Sequence, residues 1–305
     1  MIPIVVVAGA TASGKTALSL ELAKRLSGEI VSCDSMQIYK GMDIGTAKPT
    51  KSEMQGIPHH MVDILEPSQS FSVADFCAMA RRIISDIAKR GKLPILAGGT
   101  GLYIDSLVNN IDFAGETGKS KIRDELFAMA EKEGKDAVYE ILLKIDPEYA
   151  KIVHPNNVKR VIRAIELYKA TGMTVTEHNK LPKTPIYDGV YFCIDWDRET
   201  LYNRINERVD KMIDAGLETE AKTLYDEYGR QNFTAFAGIG YKEFFDYFEG
   251  KKTLSETIEE IKQNTRRYAK RQITWFRRND KIHWLAPDEN MIENAISIIK
   301  QELSN

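Results

Sequence analysis

Ile2-Pro3-Ile4-Val5-Val6-Val7-Ala8-Gly9-Ala10-Thr11-Ala12-Ser13-Gly14-Lys15-Thr16 is the stretch whose reading decides the fold. Ile2 to Ala8 is a continuous apolar, largely β-branched run, the pattern of a strand buried on both faces of a parallel sheet. It leads straight into Gly9 to Thr16, which fits GxxxxGK[ST]. From Lys15 to Leu26 the spacing becomes helical, with Leu18, Leu22 and Leu26 on one face. Strand, glycine loop and helix in this order make a phosphate cradle. The glycines let the backbone curl so that successive N–H groups face an anion, and the helix N-terminus adds partial positive charge. Lys15 suits a bridge between phosphate oxygens, and the Thr16 hydroxyl suits a magnesium ion. The pattern specifies a phosphorylated ligand without saying which one.

Working outward, Glu29 to Cys33 reads as a second strand ending at Asp34, and Met61 to Leu65 as a third. Phe71 to Arg90 is helical with Ser72 as its N-cap. Leu93 to Ala97 is a further apolar strand, followed by Gly98-Gly99-Thr100-Gly101. Strands alternating with helices predict an α/β fold with a P-loop NTPase-like parallel sheet core. One feature departs from ordinary nucleoside triphosphatases. Their second magnesium-holding strand ends in an acidic residue, whereas Leu93 to Ala97 ends in Gly98-Gly99-Thr100. A diphosphate in the same cradle can itself be the leaving group, with the site stabilising its developing charge.

The pattern changes after Asp112. A polar, glycine-containing stretch, Ala114 to Ser120, leads into mostly helical sequence from Lys121 to Thr171, and strand character returns at Val190 to Ile194. The expected organisation is a catalytic core of residues 1–114 and 188–305 with a helical insertion at 115–187. Beyond it, Arg198 to Ala215, Leu217 to Tyr228 and Leu254 to Arg278 read as helices, Ile282 to Leu285 as a strand, and a helix closes the chain.

Hydrophobic residues make up 43% of the 305, enough for a sizeable core. The formal net charge of -2 argues against a protein basic all over, but a local basic stripe can still bind nucleic acid. Cys33, Cys77 and Cys193 are far apart and odd in number, so neither a disulfide framework nor a zinc site is expected. The N-terminal run lacks a cationic flank and ends in glycine, reading as a strand and not a signal peptide. No apolar stretch reaches the roughly 18–20 residues of a membrane span. The expected setting is soluble, intracellular and cytoplasmic. The histidines show no metal-ligand spacing.

Three further segments accompany the cradle: Asp34-Ser35-Met36-Gln37-Ile38-Tyr39, Ala97-Gly98-Gly99-Thr100-Gly101-Leu102-Tyr103, and Arg267-Tyr268-Ala269-Lys270-Arg271-Gln272-Ile273-Thr274-Trp275-Phe276-Arg277. In order and spacing, nearly end to end, the chain closely resembles the tRNA dimethylallyltransferases, also called tRNA isopentenyltransferases. The resemblance implies transfer of a dimethylallyl group from dimethylallyl diphosphate to N6 of the adenosine 3′ of the anticodon, with magnesium assisting and diphosphate leaving. Asp34, at the carboxyl edge of the second strand, suits a base that accepts the N6 proton; an aspartate there also suits a turn. Thr100 resembles the family residue near the reacting centre and also suits the N-cap of the next helix. Arg204 and Arg208 share a helical face; the resemblance assigns an arginine of this segment to the diphosphate, Arg204 first and Arg208 second.

RNA contacts are implied for Asp34, Ser35, Met36, Gln37 and Thr100, for Arg123, for Lys159-Arg160-Val161-Ile162-Arg163 in the insertion, and for Gly238, Gly240 and Lys242. The insertion residues also fit an ordinary amphipathic helix with a charged outer face. Arg266, Arg267, Lys270, Arg271, Arg277 and Arg278 form a basic run interleaved with aromatics, suited to phosphate contacts. Some family members carry an arginine where Ala237 or Gly238 stands here, implying weaker contacts at that loop. A monomer suffices. The rival readings are a small-molecule kinase, an inactive RNA-binding protein and a transferase acting on free adenosine monophosphate. The insertion and basic helix have no use in the first or third, and Lys15, Thr16, Asp34 and Thr100 are all present against the second.

Overall fold

A computed structural model describes residues 1–111, 121–182, 184–231 and 233–303. By internal contacts the chain forms two compact units, Met1–Asn109 with Pro185–Asn305, and Asn110–Thr184. The expected boundary at 114/115 lies outside the described residues, and the chain re-enters the first unit at Pro185, before the expected residue 188.

The first unit is a parallel six-stranded sheet with helices. In chain order its elements are β1 (Ile2–Ala8), α1 (Lys15–Arg25), β2 (Gly28–Ser32), α2 (Lys51–Met54), β3 (His59–His60), α3 (Val73–Lys89), β4 (Leu93–Gly98) and α4 (Gly101–Val108). The second unit holds α5 (Lys121–Glu133), α6 (Lys135–Ile145), α7 (Pro147–Ala150), α8 (Val158–Thr171) and α9 (Val175–Lys180). The first unit then resumes with β5 (Tyr187–Ile194), α10 (Arg198–Asp214), α11 (Leu217–Tyr228), α12 (Lys242–Phe248), α13 (Leu254–Phe276), β6 (Ile282–Leu285) and α14 (Met291–Leu303).

The sheet order is β3-β2-β4-β1-β5-β6, and every pairing is parallel. β1 lies inside the sheet between β4 and β5, which is why Ile4 to Val7 are wholly buried and the run carries no polar alternation. Parallel strands put the loops after β1, β2 and β4 at one carboxyl edge. Those loops carry Gly9 to Thr16, Asp34 and Gly99-Thr100. Val5, Val7, Leu18, Leu22, Ile30, Ile95 and Phe192 pack in a core that also takes in Ile296 and Ile299 of α14.

The third strand is not where the sequence reading puts it. Met61 and Asp63 have φ of 64° and 56°, which no strand admits. The strand is His59–His60, paired with Ile30 and Val31, and Leu65 only bridges Tyr39. Ser72 caps α3 as expected, its side chain accepting from Asp75 N while Asp75 reaches back. α12 has no counterpart in the sequence reading. The helix expected to reach Arg278 ends at Phe276.

The helical unit has its own core of Leu126, Val138, Leu142, Val153, Val161, Ile162 and Ile165. No helix among the described residues is long and apolar enough to cross a membrane.

Candidate active site

The cradle is braced from behind. Gly14, the N-cap of α1, has φ 98°, a left-handed conformation that glycine takes without steric cost. The Trp196 indole N–H donates to Ser13 O at 2.9 Å, and Arg204 Nε donates to Ala12 O at 2.9 Å. The Arg204 guanidinium also lies 4.5 Å from the Trp196 ring centroid. Of the loop's own N–H groups, Thr11 N donates to Gln272 Oε1 at 2.9 Å and Ser13 N to Ala10 O at 3.4 Å. Lys15 Nζ donates to Ala10 O at 2.5 Å. Burial, and next the charge of Arg208, push its pKa down to about 8 against the opposing pull of Asp34.

Asp34 follows β2 and lies beside this cradle. Its Oδ1 accepts from Met36 N at 2.9 Å, so the turn role is filled by one oxygen. Oδ2 has no hydrogen bond among the described residues. Thr100 occupies the N-cap position of α4 without making a cap bond. Its Oγ1 accepts instead from Ser35 N at 3.1 Å and donates to Ser35 Oγ at 3.4 Å. The loops after β2 and β4 are thereby joined. Tyr268 of α13 faces Thr100 and Gln272, and burial, then Asp34, push its phenol up to about 12.

Lys15, Asp34, Tyr268 and Gln272 border a cavity of about 750 Å³ in the first unit, whereas Thr100 itself does not line it. Thr11, Lys15, Thr16, Asp34, Ser35, Met36, Gln37, Gly238, Gly240 and Lys242 all line it, so much of the sequence-predicted set meets in one place. Arg204 does not line it. Arg208, one turn on, does, and burial lowers its pKa while Asp34 raises it. The first-choice arginine therefore braces the loop and the second faces the cavity.

Gln37 carries less free hydrogen-bonding capacity than its sequence suggests. Its Nε2 donates to Thr46 O and Ala47 O at 3.3 Å, and its Oε1 accepts from Ser32 Oγ at 3.0 Å. The amide is spent inside the protein. Neighbouring loop backbone is held by Glu220, which the sequence reading missed. Its carboxylate accepts from the backbone N–H of Asp43, Ile44 and Gly45 and from the Tyr241 hydroxyl, all at 2.7–3.0 Å. A Cβ on Gly45 would sit 2.5 Å from the Tyr241 ring, so glycine is required there. Gln272 was missed as a bridge, though a signal existed: Ile261, Ala269 and Phe276 mark the buried face of α13, and a glutamine interrupts it.

In the helical unit the expected RNA contacts separate. Val161 and Ile162 are each 1% exposed and belong to the core, so their side chains cannot meet RNA. Arg123 gives Nε and Nη2 to Glu166 at 3.0 and 2.9 Å. Arg163 is half-buried, 4.0 Å from the same carboxylate. Lys159 and Arg160 are exposed.

The IPP transferase family model matches residues 37–279. A tRNA dimethylallyltransferase of Bacillus subtilis is 50% identical over 283 residues, covering 92% of this chain and 90% of that protein. The crystal structure of a full-length tRNA isopentenylpyrophosphate transferase from Bacillus halodurans is 44% identical and superposes with a TM-score of 0.76 over 100% of this chain and 97% of that one. A eukaryotic dimethylallyltransferase acting on tRNA is 33% identical with a TM-score of 0.89, covering 100% of this chain and 80% of that one.

Proposed function

The chain belongs to the IPP transferase family, and on that premise we propose that it is a tRNA dimethylallyltransferase. It transfers the dimethylallyl group of dimethylallyl diphosphate to N6 of the adenosine 3′-adjacent to the anticodon. The observation that carries this reading is the meeting of a phosphate cradle with a carboxylate of free Oδ2 around one cavity.

Lys15, Arg208 and the cradle N–H groups hold the diphosphate. The N6 lone pair attacks the methylene carbon, the C–O bond breaks, and diphosphate leaves with the electron pair. Asp34 takes the N6 proton. Thr100 fixes Ser35 and the acceptor loop. No cluster of three or more His, Cys, Asp or Glu suited to a metal occurs among the described residues. Magnesium keeps several waters and takes substrate phosphates as ligands. The Thr16 hydroxyl, with diphosphate oxygens, would hold it. When bound, magnesium neutralises charge on the leaving group.

The target base must leave its stack, at about a few kcal/mol. Lys242, beside Gly238 and Gly240 on the cavity wall, is exposed to meet the RNA backbone. Lys159 and Arg160 are the exposed phosphate contacts of the helical unit. The three cysteines are free, which suits a reducing cytoplasm.

The test is mass spectrometry of a nucleoside digest after incubating unmodified tRNA with the protein, magnesium and dimethylallyl diphosphate. Adenosine gaining one dimethylallyl group, only with the diphosphate present, is the expected result. No gain, with ATP consumed on adding small hydroxyl acceptors, favours the kinase instead.

A further inference from the structure

Gln272 has no part in the chemistry above, yet it joins the two halves of the site. It lies on α13 and is 5% exposed. Its Oε1 accepts from Thr11 N at 2.9 Å, within the phosphate cradle. Its Nε2 donates to Gly99 O at 2.9 Å, beside Thr100. The approach is close: a Cβ on Gly99 would stand 2.1 Å from Nε2. Only glycine at 99 admits this amide.

From this bridge we propose that Gln272 is a positioning residue for the transfer, fixing the diphosphate cradle relative to the Thr100–Asp34 acceptor loop. The inference rests on the function proposed above. The amide is rigid, buried and committed at both ends, so it sets the separation of two loops that must hold two different substrates. It also occupies the Thr11 N–H, leaving phosphate binding to the other cradle donors and to Lys15. A group that sets distance acts chiefly on the probability of in-line attack. Its loss is therefore read in kcat, not in KM.

Gln272→Met keeps length and removes both hydrogen bonds. Transfer to an anticodon stem-loop RNA would be measured with each substrate varied against saturating amounts of the other, and folding followed by thermal melting. The expected result is a folded variant whose kcat falls about ten- to hundredfold while both KM values stay within about threefold. Unchanged kcat, or raised KM with kcat held, overturns the proposal. Gly99→Ala attacks the same bridge from the other side and serves if the methionine variant does not fold; it should lower kcat in the same way. In the double variant the losses should not multiply, because one coupling has been removed twice. Multiplied losses mark two independent structural lesions and overturn the proposal. An unaltered chain that transfers nothing overturns the functional reading, and this inference with it.

Discussion

At Asp34 one carboxylate meets two demands. Oδ1 holds the turn through Met36 N, and Oδ2, without a hydrogen bond among the described residues, is the oxygen proposed for chemistry. Asp34→Asn keeps an acceptor for Met36 and removes the proposed base. It should lower kcat by about 10²- to 10⁴-fold without changing the melting temperature; single-turnover transfer and a thermal melt check both. Lys15 gives a pH dependence. Its pKa in the free protein is pushed down to about 8. A bound diphosphate favours the ammonium form and raises that value in the complex. Binding therefore has full strength below pH 8 and weakens above it, by up to about tenfold per pH unit until the pKa of the complex is reached. Titrating diphosphate from pH 6.5 to 9.5 (a range of about three units around the shifted value) checks the sign. Constant affinity across that range would contradict it.

At the scale of the element, α8 shows how an amphipathic pattern is divided. Val161 and Ile162 face the helical core, while Lys159 and Arg160 face outward. Arg123 on α5 is committed to the buried carboxylate of Glu166. Arg123→Ala leaves that carboxylate with Arg163 at 4.0 Å. It should cost about 1–3 kcal/mol of stability, discounted toward the lower end because Arg123 is about a third exposed. Denaturant unfolding measures this loss. A stability unchanged within error, with weaker RNA binding, would restore Arg123 as a direct RNA contact.

For the whole molecule, an acidic total conceals a local excess of cations. Net charge is -2, yet Lys159 and Arg160 stand exposed on α8, and Arg267, Lys270, Arg271, Arg277 and Arg278 are exposed on or just beyond α13. Removing a cation that neutralises one phosphate should flatten the salt dependence of RNA binding by about one unit of log–log slope. Lys159→Glu with Arg160→Glu should weaken tRNA binding and flatten that slope while leaving diphosphate affinity unchanged. Filter binding across a salt series, beside a diphosphate titration, separates the two. Equal losses for both ligands would remove the helical unit from RNA docking.

Much of the fold is legible in the chain because it is local. The apolar run of β1, the glycine loop and the leucine face of α1 are set by neighbours a few residues apart, and so is the Ser72 cap. That is why the phosphate cradle, the parallel sheet and the position of Asp34 at its carboxyl edge follow from sequence alone. The third strand does not, because Met61 and Asp63 adopt left-handed backbone that the apolar pattern conceals. Arg204 and Arg208 look alike on a helical wheel. Which one faces the cavity depended on Trp196 taking Arg204 against the loop. Gln272 meets Thr11 across 261 residues and Gly99 across 173. Contacts so distant in the chain exist only once α13 has packed, so the sequence determined the glycine loop and its place between β1 and α1, and tertiary packing decided which side chains brace it and which face the cavity.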